Sequence, residues 1–143
     1  MRITQGTFSF LPEFSDEEVA AQVQYCIDNG WACAVEYTDD PHPRNSYWEM
    51  WDLPMFEVQD ASAVVFEINK CIEAFPNHYI KFVAYDPRPN RATTALDLIV
   101  NRPAEEPGFM IERTEVGDRR QNYTLKSYAA QRPHGDRYEG NGK

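Results

Sequence analysis

The 143-residue sequence lacks any long hydrophobic run, and its opening residues contain no apolar stretch. A membrane-spanning helix needs about 20 consecutive apolar residues, and a secretory signal needs an apolar segment near its start. Neither pattern occurs, so we expect a cytoplasmic protein or a mature chain, with no membrane partner. A chain of this length fits one domain with a substantial core.

Cysteine is also scarce, and its spacing is irregular. Cys26, Cys33 and Cys71 are odd in number and form no Cys-x-x-Cys pair. A disulfide framework or a zinc site requires paired or clustered cysteines. The pattern therefore predicts three reduced thiols that pack as small hydrophobic side chains.

Glycine-rich phosphate loops are missing, and basic residues are rare in the first half of the chain. Neither G-x-G-x-x-G nor G-x-x-x-x-G-K-[ST] occurs. Residues 1–60 hold twelve acidic residues against Arg2 and Arg44, within a chain of net charge −9. Because nucleic acid requires a basic surface, we expect no nucleic-acid partner.

An aromatic run, Tyr47–Phe56, is the strongest positive feature. Seven of its ten residues are aromatic or large and apolar. Alternation places Trp48 and Met50 on one face and Tyr47 and Trp51 on the other, whereas a half-buried strand has one polar face. Burial on both sides within the chain remains possible, but we favour docking on a partner protein, because these residue types are enriched in interface cores. Which of Trp48 and Trp51 faces the partner stays open. The predicted interface comprises Tyr47, Trp48, Met50, Trp51, Pro54, Met55 and Phe56.

The remaining pattern predicts two helices and four strands. Ser15 and Glu18 form a capping-box signature for a helix that ends at Asn29-Gly30. Asp60 is a suitable N-cap for a second helix that reaches Phe75. We expect an α+β fold in which two helices cover one face of a four-stranded, mostly antiparallel sheet. The predicted strands are Trp31–Tyr37, an aromatic strand that follows the turn at Tyr47, Tyr79–Tyr85 and Thr93–Asn101.

The chain is predicted to comprise a main domain at residues 1–107, a β-hairpin extension at 108–131 and a flexible tail at 132–143. The segment Arg102–Gly108 has the composition of a linker, and Phe109–Glu115 and Asn122–Tyr128 have the composition of strands. An isolated two-stranded hairpin is marginal in water, so we expect it to pair outside the domain. The predicted contact residues are Phe109, Ile111, Arg113, Tyr123, Leu125 and Tyr128.

Several polar residues could carry chemistry, and each also has a structural explanation. Asp39, Asp40 and His42 could bind a metal or act as acid and base, but Asp-Asp-Pro and His-Pro favour turns. Other candidates are His78, the serines Ser9, Ser46 and Ser127, and the arginines Arg88, Arg91, Arg102 and Arg113. The serines lack a nucleophile-elbow context, and the arginines suit ion pairs. Two rival functions remain: a small free-standing enzyme using Asp39 and His42, and a small-molecule-binding regulatory α/β sandwich.

The aromatic run resembles a family signature. Tyr47–Phe56 is similar to the sequence Tyr-Trp-x-Met-Trp-x-Leu-Pro-Met-Phe of the ribulose-1,5-bisphosphate carboxylase/oxygenase (Rubisco) small subunit. Residues 1–12, 36–45 and 99–109 resemble the red-type branch of that family, whose connection between the first two strands is short, as it is between Tyr37 and Tyr47. The resemblance covers the chain to about Gln131.

The resemblance implies a non-catalytic subunit without a cofactor of its own. In that family, eight small chains cap a core of eight large subunits, which hold magnesium and a carbamylated lysine and fix carbon dioxide in the Calvin cycle. The C-terminal hairpin would line the central channel and meet neighbouring small subunits. We expect a bacterial cytoplasm as the location, with the plastid stroma of a red-lineage alga as the alternative.

Overall fold

The computed structural model describes residues 3–4, 13–40, 48–90, 93–104, 106 and 109–127. Within them the chain forms two helices and seven strands. The predicted residues Tyr47, Tyr128, His42, Arg91, Ser9 and Ser46, and the tail at 132–143, lie outside the described residues. The elements are β1 (Ile3–Thr4), α1 (Asp16–Asp28), β2 (Ala32–Thr38), β3 (Glu49–Met50), α2 (Ala61–Ala74), β4 (Tyr79–Asp86), β5 (Thr93–Asn101), β6 (Phe109–Glu115) and β7 (Gln121–Ser127).

Helix α1 begins and ends where its local sequence predicts. The Ser15 backbone N–H donates to the Glu18 carboxylate at 2.8 Å, and the Glu18 N–H donates to Ser15 Oγ at 3.2 Å. This reciprocal pair satisfies two backbone donors that a helix start leaves free. Asn29 caps the other end, and Gly30 takes a φ of +74°, which glycine adopts at little cost.

Helix α2 is capped by Asp60, whose side chain accepts a 2.9 Å hydrogen bond from the Ser62 N–H. Its last turn ends at Phe75, just before Pro76, as predicted. Gln24 of α1 accepts a hydrogen bond from the Ala61 N–H at 3.2 Å, and so ties the two helices together. Both helices place an apolar stripe against one face of the sheet, as amphipathic helices do. The buried stripe residues are Val19, Val23, Cys26, Ala61, Val64, Ile68 and Cys71.

The main sheet has the order β1-β5-β4-β2-β3. The four predicted strands pair antiparallel with their neighbours, and the two helices lie on one face, so the predicted α+β architecture is confirmed. Strand β1 is an unpredicted addition that pairs parallel with β5, with Ile3 opposite Leu96. Alternating residues of β2, β4 and β5 enter the core beneath the helices. They are Cys33, Val35, Ile80, Phe82, Ala84, Leu96 and Leu98, with Val100 packed at the margin.

The predicted aromatic strand is short, because the described part of Tyr47–Phe56 forms only the two-residue strand β3 and one isolated bridge between Met55 and Cys33. Met50 is in register with Glu36, and Met55 with Cys33. The chain takes five residue steps from Met50 to Met55, whereas β2 takes three from Glu36 to Cys33. Two extra residues therefore bulge outward. Pro54 has no N–H to donate, which suits it to the bulge.

The C-terminal hairpin agrees with the prediction within one residue at each strand. β6 and β7 form a separate two-stranded sheet in continuous register from Phe109 opposite Ser127 to Glu115 opposite Gln121. At the turn, the Arg120 N–H donates to the Gly117 carbonyl at 3.0 Å, and Asp118 and Arg119 both have positive φ. Two successive left-handed residues give the twist that suits a tight hairpin.

The three cysteines are free and buried in the core, which confirms the prediction of reduced, packed thiols. Burial raises the pKa of Cys26 to about 12, with a further contribution from the nearby Cys33. Burial alone raises the pKa of Cys33 to about 11 and that of Cys71 to about 12. Because thiolates are the reactive form, these side chains are chemically quiet at neutral pH.

Candidate docking site

The docking segment, residues 48–56, is fixed to the outer edge of β2 on both sides of its bulge. On one side, the Trp51 N–H donates to the Val35 carbonyl at 2.8 Å. On the other side, Met55 and Cys33 exchange two backbone hydrogen bonds of 2.7 and 3.1 Å. The residues between these anchors are therefore pushed away from the sheet and held there.

Left-handed backbone angles occur at the start of the extruded part and just after the docking segment. Asp52 has a φ of 71° and Glu57 a φ of 58°, although neither residue is glycine. The Asp52 side chain accepts a 2.8 Å hydrogen bond from the Leu53 N–H, a local contact that favours this turn. Left-handed residues other than glycine cost about 1 kcal/mol or more and persist where surrounding structure holds them. The shape of the segment is thus imposed by its anchors.

Trp51 lies on the helix side of the sheet. Its indole Nε1–H donates to the Glu67 carboxylate of α2 at 3.2 Å. Its ring meets Phe75 edge-on at 6.1 Å and Tyr37 edge-on at 6.5 Å, and Tyr37 stacks on Phe75 at 4.3 Å. Such arrangements are the favoured ones for aromatic pairs. Trp51 is therefore the tryptophan that faces the helices.

Trp48 lies on the opposite face. The Lys81 ammonium is 4.4 Å from the centre of its ring, and Lys81 belongs to the face of β4 that points away from the helices. Trp48 is half-buried. The question of which tryptophan is turned away from the helices, which the sequence pattern left open, is thus answered by the structure in favour of Trp48.

Tyr37 links the aromatic cluster to β3. Burial and a hydrogen bond with Glu49 raise the pKa of Tyr37 to about 12, and the negative charge of Glu49 adds to this. Glu49 is directly opposite Tyr37 in the β2–β3 register. The protonated phenol therefore donates to the carboxylate across the strand pair, which fixes the first residue of β3.

The exposed apolar residues of the segment include one that its alternation pattern did not emphasise. Leu53 is 79% exposed, Phe56 61% and Met50 47%. Trp48, Trp51, Pro54 and Met55 are half-buried. Leu53 was absent from the predicted interface set, yet it is the tip of the bulge. Its position between Asp52 and Pro54, two turn-forming residues, is the sequence signal that could have identified it.

Two clefts flank the segment. One, of 330 Å³, lies between the bulge and α2 and is lined in part by Trp51, Leu53, Met55 and Phe66. The other, of 490 Å³, lies beside Phe56 and is bordered by Trp31 and Pro87. Both clefts are partly open to solvent, so they add contoured surface on either side of the exposed edge.

The hairpin has one apolar and one polar face. Antiparallel register places Ile111 opposite Leu125 and Arg113 opposite Tyr123 on the same face. The Arg113 guanidinium lies 5.6 Å from the Tyr123 ring centre. The other face carries a Glu112–Lys126 ion pair of 2.6 Å. Residues 110–124 are all exposed, including Ile111 and Tyr123, so this hairpin presents an apolar face to its surroundings.

The segment before the hairpin, predicted as a linker, is attached to the domain through Glu106, and Asn101 fixes the end of the strand that precedes it. Asn101 Nδ2 donates to the carbonyls of Pro76 and His78 at 3.1 and 2.9 Å. The fully buried Tyr79 donates its hydroxyl hydrogen to the Glu106 carboxylate, and Arg102 lies 3.8 Å from the same carboxylate. These contacts fix the direction in which the chain leaves β5.

The described candidate catalytic residues take part in turns and packing contacts, and His42, the predicted partner of Asp39, lies outside the described residues. Asp39 is buried and Asp40 is half-buried, and the Asp40 N–H donates to Thr38 Oγ1 at 3.1 Å in a local turn. His78 packs against the Phe75 ring at 5.0 Å. Arg88 forms a bidentate pair with Asp86, which raises the pKa of Arg88.

Across the described ranges, the side chains include no group of three or more His, Cys, Asp and Glu residues arranged to hold a metal ion. Neither α1 nor α2, the two helices that the structure describes, is long and apolar enough to cross a membrane.

Comparison with known proteins gives a consistent result over the whole chain. The family model described as "Ribulose bisphosphate carboxylase, small chain" matches residues 5–103. The ribulose bisphosphate carboxylase small subunit of Cyanidioschyzon merolae is 56% identical over 138 residues, and the chromosomal one of Cupriavidus necator is 54% identical over 139. Each match covers 96% of this chain and 100% of the relative.

A solved structure agrees with the sequence relatives. A chain of Rubisco from Galdieria partita superimposes with a TM-score of 0.85 at 49% identity, covering 96% of this chain and 100% of that one. Identity at this level across nearly all of the chain shows common descent as well as a common fold. The chain therefore belongs to the ribulose bisphosphate carboxylase small-subunit family.

Proposed function

We propose that this chain is the non-catalytic small subunit of a ribulose bisphosphate carboxylase and that it docks on the large subunit through the docking segment. The observation that supports this most directly is the exposed apolar edge formed by Met50, Leu53 and Phe56. A monomeric protein rarely holds such residues together in water. The segment is fixed by backbone anchors, so little conformational entropy is lost when a partner covers it.

The proposed assembly has eight small and eight large chains, with the small chains capping the two ends of the large-subunit core. Each small chain would fill a cleft between large subunits. The apolar edge, together with the two flanking clefts, provides shape for a complementary surface. Assembly of this kind stabilises the core by mass action, because the small chain binds the folded octamer.

The hairpin is proposed to contact neighbouring small subunits. Ile111, Tyr123 and Leu125 share its apolar face, and Arg113 beside Tyr123 adds a cation that an acidic neighbour can pair with. An exposed hairpin with one apolar face is stabilised when another chain covers that face.

The chain would influence carbon dioxide fixation without touching substrate. The magnesium and carbamylated lysine that support the chemistry belong to the large subunit. A rigid cap limits the displacement of the large-subunit loops, and small displacements of catalytic groups change rates strongly. Turnover and selectivity between carbon dioxide and oxygen would therefore respond to changes in the small chain.

Co-expression with the cognate large subunit, followed by native mass measurement, tests the proposal. We expect a complex of eight large and eight small chains with carboxylase activity, and no activity in the small chain alone. A large-subunit complex that forms with full activity and excludes this chain would overturn it. The rival free-standing enzyme predicts activity in the isolated chain that is lost on His42→Ala. Cell fractionation tests the proposed cytoplasmic location against the plastid stroma.

A further inference from the structure

Lys81 is the centre of a charged cluster on the sheet face opposite the helices. Its ammonium lies 3.3 Å from Glu36 Oε2 and 3.2 Å from Asp97 Oδ2. Its side chain is 15% exposed, so the cation is largely shielded from water. Its neighbours in β4, Ile80 and Phe82, point into the core on the other side.

The three charged residues come from the three central strands. Glu36 in β2 is directly opposite Lys81 in the β2–β4 register, and Asp97 in β5 is opposite Val83, the next residue of β4 on the same face. Contacts from both sides hold the ammonium in one position. A cation held between two carboxylates keeps its location better than a lysine on a free surface, whose long side chain samples many rotamers.

Trp48 completes the cluster. Its ring lies over the ammonium at 4.4 Å, well within the distance at which a cation attracts an aromatic face, and this attraction is strengthened by shielding from water. Trp48 immediately precedes β3, whose two residues pair with β2. The position of the ring is therefore set by one cation and by the short strand that follows it.

We propose that Lys81 is a positioning residue for docking: it holds the Trp48 indole in the orientation that the large subunit binds. The inference rests on the proposed function and goes beyond it by assigning a role to a residue outside the docking segment. An apolar residue at position 81 would pack against its neighbours without the cost of shielding an ion pair. An apolar residue would not, however, attract the face of the Trp48 ring as the Lys81 cation does.

The test measures the affinity of full-length variants for the purified large-subunit octamer. We expect Lys81→Met to weaken binding about tenfold, as loss of a shielded cation–π contact would, and Lys81→Arg to stay within about twofold of the wild type. Lys126→Met is the matched control, because Lys126 also pairs with a carboxylate, Glu112 at 2.6 Å, but on the polar face of the hairpin. It should leave affinity unchanged.

A double-mutant cycle separates positioning from general destabilisation. In a Trp48→Leu background, Lys81→Met should cause no further loss of affinity, because the ring that it positions is gone. The triple change Glu36→Gln, Lys81→Met and Asp97→Asn avoids stranding two carboxylates and should reproduce the tenfold loss if Lys81→Met alone fails to fold.

The outcomes distinguish a failure of the proposed function from a failure of the role proposed for Lys81. If the wild-type chain does not bind the octamer, the proposed function fails and this inference falls with it. If the wild type binds and the folded Lys81→Met chain (or the triple variant, where Lys81→Met does not fold) binds equally well, the inference alone is overturned. The same holds if the loss from Lys81→Met is undiminished in the Trp48→Leu background.

Discussion

The indole N–H of Trp51 donates to the carboxylate of Glu67 across the gap between the docking segment and α2, at 3.2 Å. This contact divides the aromatic run into two functional halves. Trp51 belongs to the interior surface that joins the segment to the helices, whereas Leu53, two residues later, is turned into the solvent. Stability and docking are therefore expected to depend on different residues of one short segment.

Trp51 should act mainly on stability. Trp51→Phe removes the hydrogen bond to Glu67 but keeps a ring against Phe75, so we expect a loss of about 1 kcal/mol in the free energy of unfolding. Trp51→Ala also removes the aromatic contacts and should cost about 3 kcal/mol. Urea unfolding of the full-length chain measures both values. Equal stability of Trp51→Ala and the wild type would show that the Trp51 contacts contribute nothing to the fold.

Leu53 should act mainly on assembly. Leu53→Ser alters a side chain that is 79% exposed, so the free energy of unfolding of the chain alone should change by less than about 0.5 kcal/mol. Loss of an apolar interface anchor should weaken association by about 2 kcal/mol. Titration against the large-subunit octamer provides the measurement. Tyr25→Gln, at another exposed aromatic position on α1, is the control and should bind normally.

The helices could be predicted from sequence because their signals are local. Ser15, Glu18 and Asp60 satisfy backbone groups within three residues of themselves, and Gly30 provides a left-handed end. The alternation of apolar residues in β4 and β5 also predicts these strands, because one face of each is buried against the helices. Fold class, therefore, followed from patterns that span no more than one element.

The bulge and the first strand could not be predicted in this way. Whether residues 52–54 continue a strand depends on the register at Met55 with Cys33, a contact between distant positions. Strand β1 is two residues long and pairs with Leu96 and Asp97, far along the chain. The exposure of Leu53 is a consequence of that register, so alternation within the aromatic run gave no sign of it.

The hairpin should contribute to the complex through its apolar face. Ile111→Ser removes half of the Ile111–Leu125 pair, and we expect the assembled complex to lose heat tolerance by several degrees while the main domain keeps its stability. Thr114→Ser, on the opposite face of the same strand, is the control. Removal of residues 109–143 should weaken assembly further. A truncated complex as heat-tolerant as the intact one would eliminate this role.

The three thiols predict how stability depends on pH. Their pKa values in the folded chain, about 11 to 12, exceed the ordinary value of 9.0. Between these values the unfolded chain is deprotonated first, so folding binds protons and stability falls as pH rises. Stability should therefore be unaffected by the thiols below pH 9 and decline above it. Urea unfolding midpoints at pH 8 and pH 10 measure this decline in stability. Cys71→Ala should make the decline smaller. Equal midpoints at the two pH values would contradict the prediction.

Tyr79 should control the exit of the chain toward the hairpin. Tyr79→Phe removes one buried hydroxyl and its hydrogen bond to Glu106, while Arg102 keeps its ion pair with that carboxylate. Because the hydroxyl bonds a charged acceptor, we expect a loss of about 2 kcal/mol in the free energy of unfolding. Amide hydrogen exchange in residues 102–106 should also become faster, because the segment that carries Glu106 is released. Tyr123→Phe makes the same substitution at an exposed tyrosine whose hydroxyl donates to Gln121 at 3.1 Å, and it should change neither quantity. If Tyr79→Phe destabilised the fold but left the exchange rate of residues 102–106 unaltered, the Tyr79–Glu106 contact would serve the core alone.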